Sequence, residues 1–342
     1  MSEPNLIIEA QNLKKLYPVK RGFFESLTSN KSEFVHAVND VSFKIFKGET
    51  FGLVGESGCG KSTTGFLLLN LLEKTDGRVF FKGTDLSLLS NKDLRKLREY
   101  IQIIFQNPYD SLSPRFNVFD IIAEPLRVLK VLRNEKEIEK AVISILEDVG
   151  LSPPEDYRKR FPHELSGGQR QRVGVARAFV LNPAFIVADE PVSMLDVSIR
   201  TGILKIMQKL IKDKGTSFLF ITHDLALARH MCDRVAVMYL GRIIETGPTE
   251  QILKQPVHPY TKALLAAVPT PDPEEISNED LPIIGEVPGG IHLPIGCNFH
   301  PRCPYAIEKC KEVDPQLESI GTNHLVACIR HDDELVYLNK GL

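Results

Sequence analysis

The chain has 342 residues, of which 43% are hydrophobic and 25% charged, a composition typical of a globular protein with a sizeable core and not of a disordered or fibrous one. Its 42 Lys and Arg residues nearly balance 44 Asp and Glu residues, and the formal net charge of −2 disfavours a dedicated nucleic-acid binder. At roughly 100–200 residues per domain, the length predicts two domains.

The sequence predicts a cytosolic protein that does not cross a membrane by itself. Its longest apolar stretch, residues 66–72, is interrupted by Asn70 and falls far short of the roughly 18 apolar residues of a spanning helix. The first residues carry Glu3 where a signal peptide would carry positive charge, and no apolar h-region follows.

Short β-branched and aromatic runs, separated by Gly turns or helical patterns, predict an α/β nucleotide-binding layout with some antiparallel strands. The predicted strands span residues 41–45, 50–54, 78–81, 101–105, 185–188, 217–222 and 235–239. Residues 21–31 predict a loop, and apolar residues at helical spacing over 118–149 predict an all-helical insertion. A domain boundary is expected near residue 250, because 12 of the 22 prolines follow residue 247.

Residues Gly55 to Ser62 read GESGCGKS and match the phosphate-loop pattern G-x-x-x-x-G-K-[ST] in full. The match lies between a predicted strand and an apolar helix, as the motif requires. Gly58 and Gly60 would let backbone N–H groups converge on phosphate oxygens, beside a helix N-terminus that favours negative charge. Lys61 would bridge the β- and γ-phosphates, and Ser62 would offer its hydroxyl to Mg²⁺. The alternative, a Gly-rich turn with an incidental Lys, is disfavoured by the complete spacing.

The segment from Leu165 to Gln169, LSGGQ, precedes a helical pattern and would present Ser and Gly amides to an anion. Taken alone, such a turn is better explained as a helix cap.

The run FIVADE predicts a buried strand that ends in Asp189 and Glu190. Taken alone, this acidic pair would most often be a helix cap. Beside a phosphate loop, Asp189 is expected to order the Mg²⁺ shell and Glu190 to polarise an attacking water.

Four of the six cysteines crowd into the tail with the spacing C-x5-C-x6-C-x17-C, at Cys297, Cys303, Cys310 and Cys328. They lack the tight C-x2-C pairs of zinc ribbons, although thiolates suit either Zn²⁺ or an iron–sulfur cluster. Unligated thiols that pack in a small core remain the third possibility. Cys59 and Cys232 are expected to be small packed thiols, and His300 and His324 to be structural.

The order of these motifs resembles that of ABC-transporter ATP-binding subunits over nearly the whole chain. Further positions match the family: Tyr17 (adenine-stacking aromatic), Gln106 (Q-loop), Leu195 and Asp196 (D-loop) and His223 (switch histidine). The resemblance implies an α/β P-loop NTPase cassette with a RecA-like core, an antiparallel β subdomain and a helical subdomain at about 107–180. It implies a dimer that sandwiches ATP between the phosphate loop of one subunit and the signature of the other.

Site residues follow from the same resemblance. It implies nucleotide contacts at Tyr17, Gly55, Glu56, Ser57, Gly58, Cys59, Gly60, Lys61, Ser62, Thr63, Gln106 and Asp189. Mg²⁺ would be held by Ser62, Gln106 and Asp189, with Glu190 as general base and His223 holding the γ-phosphate and the attacking water. The signature residues Leu165, Ser166, Gly167, Gly168 and Gln169 would serve the nucleotide of the partner.

The tail resembles the C-terminal extension of oligopeptide/dipeptide importer ATPases, in HPYT from His258 and in LPIGCNFHPRCP from Leu293. This implies a cassette at residues 1–250, an extension at 251–342, and a [4Fe–4S] cluster on the four tail cysteines, with Zn²⁺ as the alternative. It also implies an F-type ATPase subunit at the cytoplasmic face, paired with a D-type subunit, two permease subunits and an extracytoplasmic binding protein. A soluble ABC ATPase acting on ribosomes or DNA is the second hypothesis, and the cargo stays open.

Overall fold

The computed structural model describes residues 5–19, 33–107, 111–267 and 285–332. The chain forms two compact units. The first comprises Met1–Glu9, Lys44–Thr50 and Phe80–Ile221, and the second comprises Ala10–Phe43, Phe51–Val79 and Thr222–Leu342. The loop predicted at 21–31 lies outside the described residues, and no helix within the described ranges is long and apolar enough to cross a membrane.

The first unit is organised around a parallel sheet. Strand β6 (Ile101–Ile104) pairs with β7 (Phe185–Asp189), which in turn pairs with β8 (Ser217–Thr222), with Asp189 opposite Ile221. Every residue of β7 and β8 is buried, as expected for strands covered on both faces by helices. Because parallel strands end at the same edge, the carboxyl end of β7 is where polar residues collect.

The first unit also contains the helices α2 (Asn91–Leu97), α3 (Val118–Val128), α4 (Glu135–Asp148), α5 (Pro154–Arg158), α6 (Gly167–Phe179) and α7 (Val197–Lys214). Asn117 and Asn134 cap α3 and α4 by accepting backbone N–H groups, which explains where these helices begin. The helical pattern predicted at 118–149 is therefore confirmed. The short strand β5 (Thr84–Asp85) also belongs to this unit.

The second unit contains strands β1 (Leu6–Pro18), β2 (Phe34–Phe46) and β4 (Asp76–Phe81) for most of their length, in the order β2-β1-β4. Its other sheet pairs β3 (Thr50–Val54) in parallel with β9 (Arg234–Tyr239). Helix α1 (Lys61–Leu68) follows β3. Inside this unit the rings of Phe43 and Phe51 stack at 5.1 Å.

The tail extends the sheet of the second unit. Strand β10 (Arg242–Pro248) pairs antiparallel with β9 and with β12 (His324–Val326), and β12 pairs with β11 (Glu318–Gly321). Three short helices, α9 (Thr249–Lys254), α10 (Pro259–Ala266) and α11 (Glu308–Glu312), lie between them in sequence, after α8 (Leu225–Met231).

A buried carboxylate anchors this tail to β10. Glu245 is fully buried and accepts the backbone N–H groups of Val257 and His258 at 2.8 and 3.0 Å. Its Oε1 also lies 2.8 Å from Nε2 of His324 on β12. Three partners satisfy the oxygens of a charge that could not otherwise be buried.

All seven predicted strands are present, whereas β1, β5, β10, β11 and β12 were not predicted. Strand β1 mixes Glu and Lys with its apolar residues, and β11 and β12 have only 4 and 3 residues, too few for an alternating pattern to stand out. The domain boundary near residue 250 stays a prediction.

Candidate active site

The phosphate loop joins β3 to α1 in the second unit, at the place that the motif requires. Gly60 caps α1 with a left-handed φ of 105°. A Cβ at this position would lie 2.1 Å from the carbonyl oxygen of Ala37. Both the backbone conformation and the close approach therefore require glycine.

Lys61 is buried, and its ammonium turns back over its own loop. Its Nζ donates to the carbonyl oxygens of Gly55 at 2.8 Å and Glu56 at 2.9 Å. These two bonds hold a positive charge inside the curve of the loop. Together with the turn at Gly60, this arrangement fits a phosphate group.

Other phosphate-loop positions differ in exposure: Ser57 and Gly58 are exposed, Cys59 is buried, and Ser62 and Thr63 are half-buried. Burial raises the pKa of the Cys59 thiol despite the attraction of the Lys61 charge. Cys59 is thus the packed thiol that its position predicts.

The two carboxylates lie at the end of β7, in the first unit. Asp189 is the last residue of the strand and is buried, whereas Glu190 is partly exposed. Glu190 adopts a left-handed φ of 43°, and its N–H donates to the carbonyl of Ile221 at 3.0 Å. Such a conformation costs a residue other than glycine about 1–3 kcal/mol and is commonly found at functional sites.

Gln106, two residues after β6, lies against Glu190. Its Nε2 donates to Glu190 Oε2 at 3.1 Å and to the hydroxyl of Ser193 at 3.3 Å. The Ser193 hydroxyl in turn donates to the backbone carbonyl of Glu190 at 3.1 Å. The structure therefore brings the predicted Q-loop residue and the predicted general base into direct contact.

The D-loop follows on the same segment, where Leu195 is buried and Asp196 precedes α7. Arg200 fixes the loop, because its guanidinium donates to the carbonyls of Leu195 at 2.7 Å and Ser193 at 3.2 Å. Sequence reasoning missed Ser193 and Arg200. The only available signal was their position within ten residues of Glu190.

The signature begins α6. Ser166 accepts the N–H of Gln169 at 3.3 Å, and the Gln169 side chain accepts the N–H of Ser166 at 2.9 Å, which forms a capping box. Leu165 is buried, and a Cβ at Gly168 would lie 2.6 Å from the side chain of Ile199. Gly167 and Gln169 are half-buried and Ser166 is exposed. The helix cap that the segment predicts when taken alone is therefore present in the residues that match the signature.

Tyr17 and His223 both belong to the second unit. Tyr17 lies on β1, partly exposed, with the Lys15 ammonium 4.9 Å from its ring centre. His223 is exposed and lies between β8 and α8, where Asp224 caps the helix by accepting two backbone N–H groups. The Tyr17 ring is therefore partly accessible and the His223 ring is accessible.

The four tail cysteines line one pocket, which they share with Phe299 and His258. Burial raises the pKa of Cys297 to about 11 and that of Cys303 to about 12, and it also raises that of Cys328. Within the described ranges, no group of three or more His, Cys, Asp or Glu side chains is placed to hold a metal ion. The structure therefore gives no support to the predicted iron–sulfur cluster or to its zinc alternative.

Cys232 is a packed thiol, and both His300 and His324, which were expected to be structural, lie against other tail or sheet residues. Burial raises the pKa of Cys232, another packed thiol. His300 Nδ1 lies 2.9 Å from the Cys297 carbonyl, and His324 is buried against Glu245.

Comparison with known proteins agrees with these motifs. A family model described as ABC transporter matches residues 38–193, and one described as Oligopeptide/dipeptide transporter, C-terminal region, matches residues 244–310. The chain is 45% identical over 332 residues to the dipeptide transport ATP-binding protein DppF of Haemophilus influenzae, covering 97% of this chain and 99% of that protein. It is also 45% identical to the oligopeptide transport ATP-binding protein AppF of Bacillus subtilis, covering 94% and 96%.

Among solved structures, the dimeric ATP-binding cassette MJ0796 in a post-hydrolysis state bound to ADP and Pi matches with a TM-score of 0.62 and 28% identity. The match covers 71% of this chain and 99% of that one. The predicted fold class is confirmed: an ABC cassette α/β fold with an antiparallel β subdomain, a RecA-like core and a C-terminal extension. The chain belongs to the ATP-binding subunits of the oligopeptide/dipeptide ABC transporter family, and it is an ABC ATPase.

Proposed function

We propose that this subunit hydrolyses ATP to power the import of peptides, with dipeptides or oligopeptides as cargo. The proposal rests on two family matches that follow each other along the chain. The first is to the ABC transporter family, and the second is to the C-terminal region of oligopeptide/dipeptide transporters. The second match favours an importer over a soluble ATPase that acts on ribosomes or DNA.

In the proposed reaction the phosphate loop and Lys61 bind the β- and γ-phosphates, and Tyr17 stacks on adenine. Ser62, Gln106 and Asp189 are the residues that would supply oxygen ligands for Mg²⁺, and the bound ion would neutralise charge on the phosphates. The Gly60 turn and the buried Lys61 ammonium support the fit to a phosphate. The remaining phosphate-loop residues predicted to contact the nucleotide line the same turn.

Glu190 acts as the general base. Its carboxylate accepts a proton from the water that attacks the γ-phosphorus, the bond to the β-phosphate oxygen breaks, and ADP and phosphate leave. The contact from Gln106 supports this role, because an amide donor orients the carboxylate and links it to the segment after β6. His223 holds the γ-phosphate and the attacking water.

Hydrolysis requires a second cassette, whose nucleotide is completed by the signature of this chain, Leu165 to Gln169, and by Asp196. The exposed side chains of Met194 and Val197, which are 65% and 76% accessible, flank this D-loop and support an interface there. The dimeric state of the related cassette MJ0796 also supports it. We propose an F-type subunit paired with a D-type subunit.

The assembly would sit at the cytoplasmic face of the membrane, bound to two permease subunits and supplied by an extracytoplasmic peptide-binding protein. The names of the relatives, dipeptide and oligopeptide transport ATP-binding proteins, support these partners. The proposed cluster on Cys297, Cys303, Cys310 and Cys328 has no structural support and takes no part in the mechanism. Iron, sulfide and zinc analysis of anaerobically purified protein tests it.

The experiment that tests the function is reconstitution of the complete transporter in vesicles, with uptake of a labelled peptide library and ATP turnover measured together. We expect peptide uptake that depends on ATP and stops when Lys61→Ala replaces the wild-type subunit. ATP turnover that is independent of every peptide, with no peptide uptake, would contradict the proposal.

A further inference from the structure

An ion pair links the tail to the phosphate loop, between residues 246 positions apart in the chain. The guanidinium of Arg302 donates from Nη1 to Glu56 Oε2 at 2.9 Å and from Nη2 to Oε1 at 3.2 Å. The Arg302 side chain is 7% exposed and that of Glu56 is 28% exposed. This two-bond geometry on a mostly buried guanidinium is the strong and directional form of a salt bridge.

A second tail residue holds the backbone of the same glutamate. The hydroxyl of Tyr260 accepts the N–H of Glu56 at 2.9 Å. Tyr260 is itself fully buried, and its ring lies 4.8 Å from that of Tyr239 and 5.5 Å from that of Phe299. The tail therefore fixes both the main chain and the side chain of one phosphate-loop residue.

The charge of Glu56 needs such a partner. It follows Gly55 directly, and its carbonyl accepts the Lys61 ammonium at 2.9 Å, so its carboxylate belongs to a loop that binds a polyanion. An uncompensated carboxylate there would repel ATP, with an energy that falls off with distance and with screening by salt. Arg302 is charged at every accessible pH, and its two bonds to the carboxylate place a positive charge where it would offset this repulsion.

The backbone around Arg302 is held in a hydrogen-bonded turn. The N–H of Arg302 donates to the Phe299 carbonyl at 3.0 Å, and the N–H of Cys303 donates to His300 at 3.3 Å, so the arginine sits on a closed turn. Phe299, which begins this turn, is 2% exposed and packs edge-on against Tyr239 at 5.3 Å. The guanidinium therefore extends from a turn whose backbone is hydrogen-bonded and whose first side chain is buried.

We propose that Arg302 is a positioning residue of the ATP site. Through it the C-terminal extension neutralises the Glu56 carboxylate and keeps the phosphate loop in the conformation that binds nucleotide. The proposal rests on the ATP-binding role of the chain and not on the identity of the cargo. The tail thereby becomes a part of the nucleotide site, supplied in cis.

The test is a set of full-length variants, Arg302→Met, Arg302→Lys and the double variant Arg302→Met/Glu56→Gln, with the dissociation constant of MgATP measured by equilibrium titration. We expect Arg302→Met to weaken MgATP binding about tenfold, equivalent to about 1.4 kcal/mol, because it exposes the nucleotide to an unpaired carboxylate. The double variant should recover most of this loss, because the repelling charge is gone. Arg302→Lys should fall between, since it keeps the charge and loses the two-bond geometry.

The salt dependence separates electrostatics from folding. The defect of Arg302→Met should shrink between about 0.1 M and about 0.5 M NaCl, because the repulsion is screened over roughly a Debye length. Lys311→Met removes an exposed ion pair of the same tail, with Glu308, and serves as the matched control that binds MgATP like wild type.

Three results would overturn the proposal: wild-type affinity in Arg302→Met, a double variant as weak as Arg302→Met, or a defect that salt leaves unchanged. The last two would mean that Arg302 acts only through the stability of the fold. If Arg302→Met does not fold, the MgATP affinities of Arg302→Lys and of the double variant are compared with that of wild type instead. Because the readout is nucleotide affinity, a failed peptide-uptake experiment leaves this result interpretable.

Discussion

Replacing Phe299 with alanine measures how firmly the tail is packed into the second unit. The ring is 2% exposed and lies 5.3 Å from Tyr239, 5.5 Å from Tyr260 and 5.6 Å from His258. Truncating a buried Phe to Ala costs about 3–5 kcal/mol, and part of this is the roughly 0.5–1.5 kcal/mol of each aromatic pair. We therefore expect Phe299→Ala to lower the free energy of unfolding by about 4 kcal/mol.

The assay is urea unfolding of the full-length chain, followed by fluorescence and circular dichroism, which should report one shared transition if the tail and the phosphate-loop unit unfold together. Ile295→Ala is the matched control: this side chain belongs to the same tail but is 80% exposed, so its loss should cost less than about 0.5 kcal/mol. A cost below about 1 kcal/mol for Phe299→Ala would refute the reasoning, because a packed ring in this cluster could not be removed so cheaply.

Two further predictions follow from single residues. Gly60→Ala should weaken MgATP binding more than about tenfold, because a Cβ would lie 2.1 Å from the Ala37 carbonyl and the φ of 105° is unfavourable for alanine. Gly174→Ala, whose Cβ would meet nothing within 4 Å, is the control and should bind MgATP like wild type. Equal affinities of the two variants would contradict the role given to Gly60. His258 has a pKa lowered to about 4 by burial, against 6.5 in the unfolded chain, so its contribution to stability is fully present above pH 6.5 and is lost as the pH falls towards 4. Its Nδ1 accepts the N–H of Tyr260 at 3.0 Å, so His258→Asn, which keeps an acceptor but cannot titrate, should unfold with a weaker pH dependence between pH 6.5 and 4; an unchanged pH profile would exclude His258 as the cause.

The sequence was sufficient for those parts of the site that depend on local backbone geometry. The phosphate loop lies between β3 and α1 because its glycines and the flanking apolar runs dictate a strand, a turn and a helix. The carboxylates lie at the end of a fully buried strand for the same reason. Such features depend on neighbours along the chain, which a pattern can encode.

Contacts between distant residues were not predictable in this way. The hydrogen bond from Gln106 to Glu190 spans 84 positions, and the ion pair from Arg302 to Glu56 spans 246, so they depend on strand order and tail packing. The spacing of the four tail cysteines suggested a shared ligand, but spacing does not report the distances between sulfur atoms. In the structure these thiols share a pocket without forming a metal-binding group among the described residues.

This subunit is proposed to hydrolyse ATP with Glu190 as the base, and the variant Glu190→Gln examines that role. The substitution keeps the size of the side chain, and an amide can still meet the donor of Gln106 through its oxygen. In the reconstituted transporter we expect MgATP affinity within about threefold of wild type but ATP turnover lower by roughly 10²–10⁴, the usual contribution of a general base. Glu155→Gln, an exposed glutamate on α5, should leave both quantities unchanged. Turnover near the wild-type rate in Glu190→Gln would contradict the account.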